Sequence, residues 1–165
     1  MKRVLFFIVI SMIGATTIKA QSFTYHSMKE FKGDTIAFLK QNFHQQRSYF
    51  VGKKFGELLE LYMREMPLKG CYVHNTSPSV DPNNESYICG AWLRPMENSF
   101  LPRDTMKAVY AVTFDVDFMP PYVDSFYDFG KSLPDNISPY GIAYKLKDYI
   151  IKDIRIEAYD RRRKY

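Results

Sequence analysis

Cysteine, histidine and tryptophan are scarce in this 165-residue chain, which holds two, three and one of them respectively. The two cysteines are not spaced as Cys-x-x-Cys, which argues against a redox-enzyme motif. No Gly-x-Ser-x-Gly sequence occurs, so the nucleophile elbow of serine hydrolases is excluded. The stretch 130–132, Gly-Lys-Ser, lacks the upstream glycine of a phosphate-binding loop. We therefore predict no cofactor, and the enzyme classes that depend on these motifs are not indicated.

Long apolar runs are also absent after residue 20, so the sequence predicts no transmembrane segment. Residues 1–20 place Lys2 and Arg3 before an apolar run at 4–13 and end at Ala20, which is the three-part layout of a secretory signal peptide. Cleavage near Ala20 predicts a secreted or periplasmic protein. No cysteine follows that position, so a lipid anchor is not expected.

The net positive charge of the chain comes from its two ends. The 23 basic and 18 acidic residues become 20 and 18 without residues 1–20, and 16 and 18 without the basic tail at 161–165. A nucleic-acid-binding protein is expected to carry a basic patch spread over its fold. The sequence therefore predicts no nucleic-acid partner.

Apolar residues make up 46% of the chain and aromatic residues 16%, which is enough to bury a single core. We predict a mobile lead-in at 21–33 and one domain at 34–160. Asp34 is a good helix N-cap and is followed by a helical pattern through Arg47. A second helix begins near Lys53, ends at Pro67 and has one apolar face, formed by Phe55, Leu58, Leu59, Tyr62 and Met66.

The middle and the end of the domain have β patterns. Residues 108–118 alternate apolar and polar side chains, which is typical of a strand with one buried face. Shorter strands are predicted around Val73, at 88–93 and around Ile154, and Ser138-Pro139 indicates the start of a third helix. The prediction is an α+β fold, with an N-terminal helix pair and a later helix packed on one face of a mostly antiparallel four-stranded sheet.

The two cysteines flank a polar, turn-rich stretch at 75–84. Folding this stretch as a hairpin about Val80 places Cys71 opposite Cys89. Cysteine pairs in exported proteins are usually oxidised, so we predict a disulfide. The alternative is a metal site made with His74. It lacks a fourth ligand at a usual spacing, and no metal is predicted. Free thiols are the third possibility.

Three segments resemble a group of small secreted proteins from gut Gram-negative anaerobes. They are Asn42-Phe43, the sequence YFVGKKF at 49–55 with Leu58 and Leu59, and YIIKDIRI at 149–156. In that group a helix ends near Tyr-x-x-Gly-Lys and a second helix begins. The resemblance covers about a third of the chain and implies no activity.

Asp115 and Asp117 are the strongest enzymatic candidates in the sequence. Residues two apart on a strand project from the same face, where two carboxylates can bind a cation or couple their titrations. An exposed sheet face also needs polar residues, and this solvated-face interpretation is favoured.

Aromatic residues at 118–130 are the better functional candidates, because no buried periodicity accounts for Tyr122, Phe126, Tyr127 and Phe129. Flat rings with polar tips suit a surface that binds a glycan or a protein. The alternative is that they cover the sheet edge and pack on Trp92. We predict a non-enzymatic binding module for an unknown protein or glycan. The alternatives are a cation-dependent hydrolase using Asp115 and Asp117, and an enzyme inhibitor using the 75–84 loop.

Overall fold

The computed structural model describes residues 22–76, 86–95, 110–122 and 124–160. Within these ranges the chain forms five α-helices and one four-stranded antiparallel sheet, which confirms the α+β class. A 3-10 helix at Met28–Phe31 precedes α1, and a π-helical turn at Lys40–His44 follows it. The helices are α1 (Thr35–Leu39), α2 (Arg47–Phe50), α3 (Phe55–Met63), α4 (Phe126–Lys131) and α5 (Pro139–Lys145), and the strands are β1 (Gly70–Asn75), β2 (Ile88–Arg94), β3 (Tyr110–Phe118) and β4 (Ile151–Asp160).

The four strands lie in chain order across the sheet, and every neighbouring pair is antiparallel. The predicted alternation along β3 is confirmed, because Val112, Phe114, Val116 and Phe118 are buried in the core. The helices pack on this side of the sheet. We call the opposite side the outer face, and its described members include Tyr72, His74, Trp92, Asp115, Asp117 and Arg155.

Aromatic rings fill the centre of the core. Phe114 of β3 lies with its ring centroid 5.1 Å from that of Phe43 and 5.6 Å from that of Tyr62, and all three residues have no exposed surface. The predicted apolar face of the second helix is also confirmed, since all five of its residues are buried, although α3 ends at Met63 and Met66 lies beyond it. This packing holds the sheet rigid beneath the outer face.

The start of α3 is bonded to the segment that leads into β4. Lys54, the N-cap residue, makes no capping hydrogen bond with its side chain. Instead the backbone N–H groups of Phe55 and Gly56 donate to the carbonyl oxygens of Tyr149 and Lys147, each at 2.8 Å. Helix N-termini leave such donors without intrahelical partners, and here a distant part of the chain supplies the acceptors.

The signals for turns and caps are also confirmed. Ser138 caps α5 by accepting a hydrogen bond from the N–H of Gly141, and Pro139 occupies the first turn. Gly52 has a positive φ of 83°, which only glycine adopts without strain and which allows the tight turn between α2 and α3. Residues 122–137, where the sequence favoured no element, contain α4.

Residues 22–33, predicted to be a mobile lead-in, pack on the helical layer. The ring of Phe23 stacks on Tyr49 with centroids 4.9 Å apart. The amide of Asn42, which is fully buried, accepts a hydrogen bond from the N–H of His26 at 2.8 Å and donates to the His26 carbonyl at 2.9 Å. Asn42 thus ties the lead-in to the π-helical turn.

We expect Asn42→Ala to lower the free energy of unfolding by about 2 kcal/mol, because it leaves partly buried backbone groups without partners. The measurement is chemical denaturation followed by circular dichroism. Asn136→Ala, at an exposed position, is the matched control and should have little effect. Equal unfolding midpoints for the two variants would contradict this role for Asn42.

The predicted Cys71–Cys89 disulfide is wrong in this structure, where both cysteines are free thiols. The strand register pairs Cys71 with Leu93, so the hairpin is offset from the symmetric arrangement about Val80. Cys71 is buried in the core, whereas Cys89 lies beside His74 on the outer face. A β-bulge at His74/Asn75 shifts the register next to Cys89, which a pattern of β-prone residues does not reveal.

In the part of the chain that the structure describes, no helix combines the length and the apolar character needed to cross a membrane.

Candidate functional site

Two rows of side chains cross the outer face. In the first row the strand register places Tyr72 opposite Trp92, Trp92 opposite Asp115, and Asp115 opposite Arg155. Directly opposed residues on one face of a sheet are close enough for their side chains to interact. The row therefore brings an aromatic pair next to an ion pair.

The second row places Gly90 between His74 of β1 and Asp117 of β3. Because Gly90 has no side chain, the imidazole of His74 lies across β2. A Cβ atom at position 90 would be 2.2 Å from the Cε1 and Nε2 atoms of that ring. The ring also stacks on Trp92, with centroids 5.4 Å apart and an interplanar angle of 26°. His74 is therefore held from two sides.

His74 reaches Asp115 on β3 through this gap. Its Nε2 atom lies 3.0 Å from Oδ1 of Asp115 and 4.0 Å from Oδ1 of Asp117. The guanidinium group of Arg155 donates to Oδ2 of Asp115 at 2.6 Å and to Oδ1 of Asp117 at 3.0 Å. Both aspartates thus take part in one hydrogen-bonded network.

Asp115 is only 8% exposed, so it is not a residue of a solvated face. Burial alone raises the pKa of a carboxyl group, but hydrogen bonds from His74 and Arg155 outweigh burial here and hold the pKa of Asp115 below its ordinary value. Asp115 is therefore ionised at neutral pH and acts only as an acceptor.

The ionised carboxylate fixes the tautomer of His74. Because Asp115 cannot donate, the neutral imidazole carries its proton on Nε2, and the lone pair is left on Nδ1. Sγ of Cys89 lies 3.6 Å from this Nδ1 atom and 3.7 Å from the carbonyl oxygen of His74. The imidazole thus lies between the thiol and the carboxylate, with one ring nitrogen toward each. We call Cys89, His74, Asp115, Asp117 and Arg155 the outer-face cluster.

The two thiols differ in their surroundings. Burial raises the pKa of the Cys71 thiol to about 12, and no charged partner offsets the effect. The pKa of the half-buried Cys89 thiol is also raised, first by burial and then by the negative charges of Asp117 and Asp115. Both cysteines are therefore thiols at neutral pH, and only Cys89 has an imidazole nitrogen to accept its proton.

His74, Asp115 and Asp117 have the geometry of a cation site, since one ligand atom from each lies within 4.8 Å of the other two. Arg155 already contacts both carboxylates. A metal ion at this place would have to displace a guanidinium group that neutralises the same charges. The donor set therefore fits a resident arginine better than a divalent cation.

The four aromatic residues predicted to bind a ligand differ in their exposure to solvent. Tyr127 is the most exposed, at 67%, and Lys131 lies over its ring at 4.1 Å. Phe126 is exposed at 39%. Tyr122 is half-buried, and Phe129 packs against the core. Ser125 begins α4 by accepting a hydrogen bond from the N–H of Asp128, and in this short helix Phe126 and Tyr127 stay exposed while Phe129 packs against the core.

Sequence reasoning assigned no functional role to three outer-face residues, Tyr72, Trp92 and Arg155. The sequence analysis considered Trp92 only as a packing partner for the aromatic rings at 122–129. In the structure its ring stacks on that of His74. The alternation of Arg155 with Ile154 and Ile156 in the sequence places it outward but does not reveal its partner Asp115. The same alternation in β1 could have placed Tyr72 outward. The predicted inhibitor loop at 75–84 falls mostly outside the described residues.

Comparison of the chain with protein-family models, with curated proteins and with solved structures gives no match.

Proposed function

We propose that this protein is an exported module that binds a saccharide on the outer face of its sheet. The observation that carries the proposal is the cross-strand pair of Tyr72 and Trp92, whose side chains are exposed at 43% and 39% beside the outer-face cluster. Export rests on the signal-peptide pattern at residues 1–20.

Aromatic rings of this kind suit a ligand with both apolar and polar surfaces. The C–H faces of a sugar ring pack on an aromatic ring, and its hydroxyl groups need donors and acceptors at the edge. Arg94 lies 4.7 Å from the ring centroid of Tyr72, and Arg155 and Asp117 lie on the strands beyond Trp92. The charged groups are held by their mutual bonds, so little ordering is needed when a ligand binds.

The composition of the outer face favours a saccharide over a protein partner. The central part of a protein interface is apolar and depleted of charged residues. Among the described residues of the outer face, the exposed large apolar side chains are Tyr72 and Trp92, both amphipathic, and charged groups surround them. The exposed aliphatic side chains Val51 and Met63 lie outside the sheet, at the end of α2 and on α3.

Trp92 is the single tryptophan of the chain, so its fluorescence reports on the proposed site directly. We expect a soluble polysaccharide or oligosaccharide panel to contain members that change the emission of Trp92 in a saturable manner. The same members should retard the protein in affinity gel electrophoresis. If no carbohydrate in a broad panel binds, while a purified protein partner quenches Trp92, the saccharide proposal fails.

Trp92→Ala should weaken that binding at least tenfold, because removing a stacked ring costs about 1.4 kcal/mol or more. Tyr127→Ala is the control, since it removes an exposed ring that belongs to α4 and not to the outer face. Isothermal titration calorimetry measures both variants without relying on fluorescence. Loss of binding in Tyr127→Ala with retention in Trp92→Ala would move the site to the residues first predicted from the sequence.

A further inference from the structure

We propose that Cys89, His74 and Asp115 form a nucleophilic relay, in which the Cys89 thiol accepts an acyl group from an ester or a thioester. The order of contacts is the reason. The thiol faces one nitrogen of the imidazole at 3.6 Å, and the other nitrogen is bonded to an ionised carboxylate at 3.0 Å. A nucleophile, a base and a group that orients the base are the parts that activated thiols and hydroxyls require.

The site is built around the position of His74. Gly90 leaves the space that the ring occupies, Trp92 covers the ring, and Arg155 keeps Asp115 ionised through two hydrogen bonds of 3.2 and 2.6 Å. A surface histidine that met a cysteine by chance would need none of these contacts. The imidazole is thereby presented to Cys89 through the nitrogen that carries the lone pair.

The raised pKa of Cys89 decides how the thiol can react. A thiol that stays protonated at neutral pH is a poor nucleophile by itself. Its proton must leave as the sulfur attacks, and Nδ1 of His74 is the acceptor in place. The relay therefore acts by general-base assistance, not as a preformed thiolate.

The reaction is balanced without a cofactor. Sγ of Cys89 forms a bond to the acyl carbon, the bond from that carbon to the leaving oxygen or sulfur breaks, and the thiol proton passes through His74 to the leaving group. Water can then attack the thioester with the same imidazole as base. This returns the free thiol and releases a carboxylic acid.

The probe is p-nitrophenyl acetate, and the readouts are intact mass and peptide mapping. We expect one acetyl group on Cys89 and none on Cys71, which is buried in the core. Cys71 reports folding in the same sample, because it becomes accessible only when the core opens. Cys89→Ser should abolish thiol acetylation in the folded protein.

His74→Gln should slow acetylation of Cys89 at least tenfold while Cys71 stays unmodified. An unchanged rate in that variant, or equal acetylation of Cys71 and Cys89 in the wild type, would overturn the relay. If His74→Gln exposes Cys71, the variant has unfolded, and Asp115→Asn replaces it in the same test with the same expected slowing. Saccharide binding is measured separately in Cys89→Ser. Because that readout does not depend on acetylation of the thiol, failure of the relay and failure of the proposed function can be told apart.

Discussion

Gly90→Ala is expected to lower the free energy of unfolding by about 3 kcal/mol, a large effect for one added methyl group. The new Cβ would lie 2.2 Å from the His74 ring and 2.6 Å from the carbonyl oxygen of Val116. The ring can rotate away, but the carbonyl belongs to the backbone of the neighbouring strand and cannot move without distorting the sheet. Overpacking of this kind costs about 1–3 kcal/mol, and the lost bond from His74 to Asp115 adds to it.

Thermal and denaturant unfolding measure this effect, and Gly130→Ala is the matched control. A Cβ at Gly130 would meet nothing within 4 Å, and alanine is the better residue in a helix such as α4. The control should therefore keep or slightly raise stability. If the two variants unfold at the same denaturant concentration, the sheet tolerates a side chain between His74 and Asp117, and the described geometry of the site is incorrect.

Asp115→Ala is expected to cost about 3 kcal/mol at neutral pH. The substitution leaves His74 and Arg155 without the carboxylate that accepts from both of them. Removing one partner of a buried ion pair costs about 3–5 kcal/mol, and the lower end applies because solvent reaches Arg155. Asp148→Asn is the control, since that carboxylate is exposed where it pairs with Lys54, and its loss should change stability little.

The pH dependence of this effect has a defined sign. The pKa of Asp115 is lower in the folded protein than in the unfolded chain, because the bonds from His74 and Arg155 outweigh burial. The unfolded chain therefore binds the proton more readily, and the stabilisation by Asp115 is complete above about pH 4 and declines as the pH falls through the folded pKa. Stability curves of wild type and Asp115→Asn should converge below about pH 4. Curves that stay parallel through this range would contradict the role given to this carboxylate.

The sequence predicts the fold class and the main elements because their signals are local. The apolar face of α3, the caps of α5 and the alternation of β3 depend on residues a few positions apart. The same alternation places Asp115 and Asp117 on one face, as predicted. Amphipathic spacing of this kind is a reliable signal because the apolar side of each helix or strand must pack against the core to be removed from water.

The site itself depends on register, which is not a local property. Cys89 and His74 meet because of one bulge between β1 and β2, and Arg155 meets Asp115 because β4 pairs with β3 at one of several possible offsets. A shift of one residue in the pairing of one strand would turn all side chains of that strand to the other face. The predicted disulfide failed for this reason, since the two cysteines were aligned by the symmetry of the loop and not by the sheet.

The bonds between the start of α3 and the carbonyl groups near residues 147–149 also affect when the protein can fold. During synthesis the N–H groups of Phe55 and Gly56 do not meet these acceptors until residues 147–149 have been made. Such high contact order slows folding and keeps an emerging chain open. The contacts that complete the start of α3 therefore form late, after the segment that leads into β4 has been made.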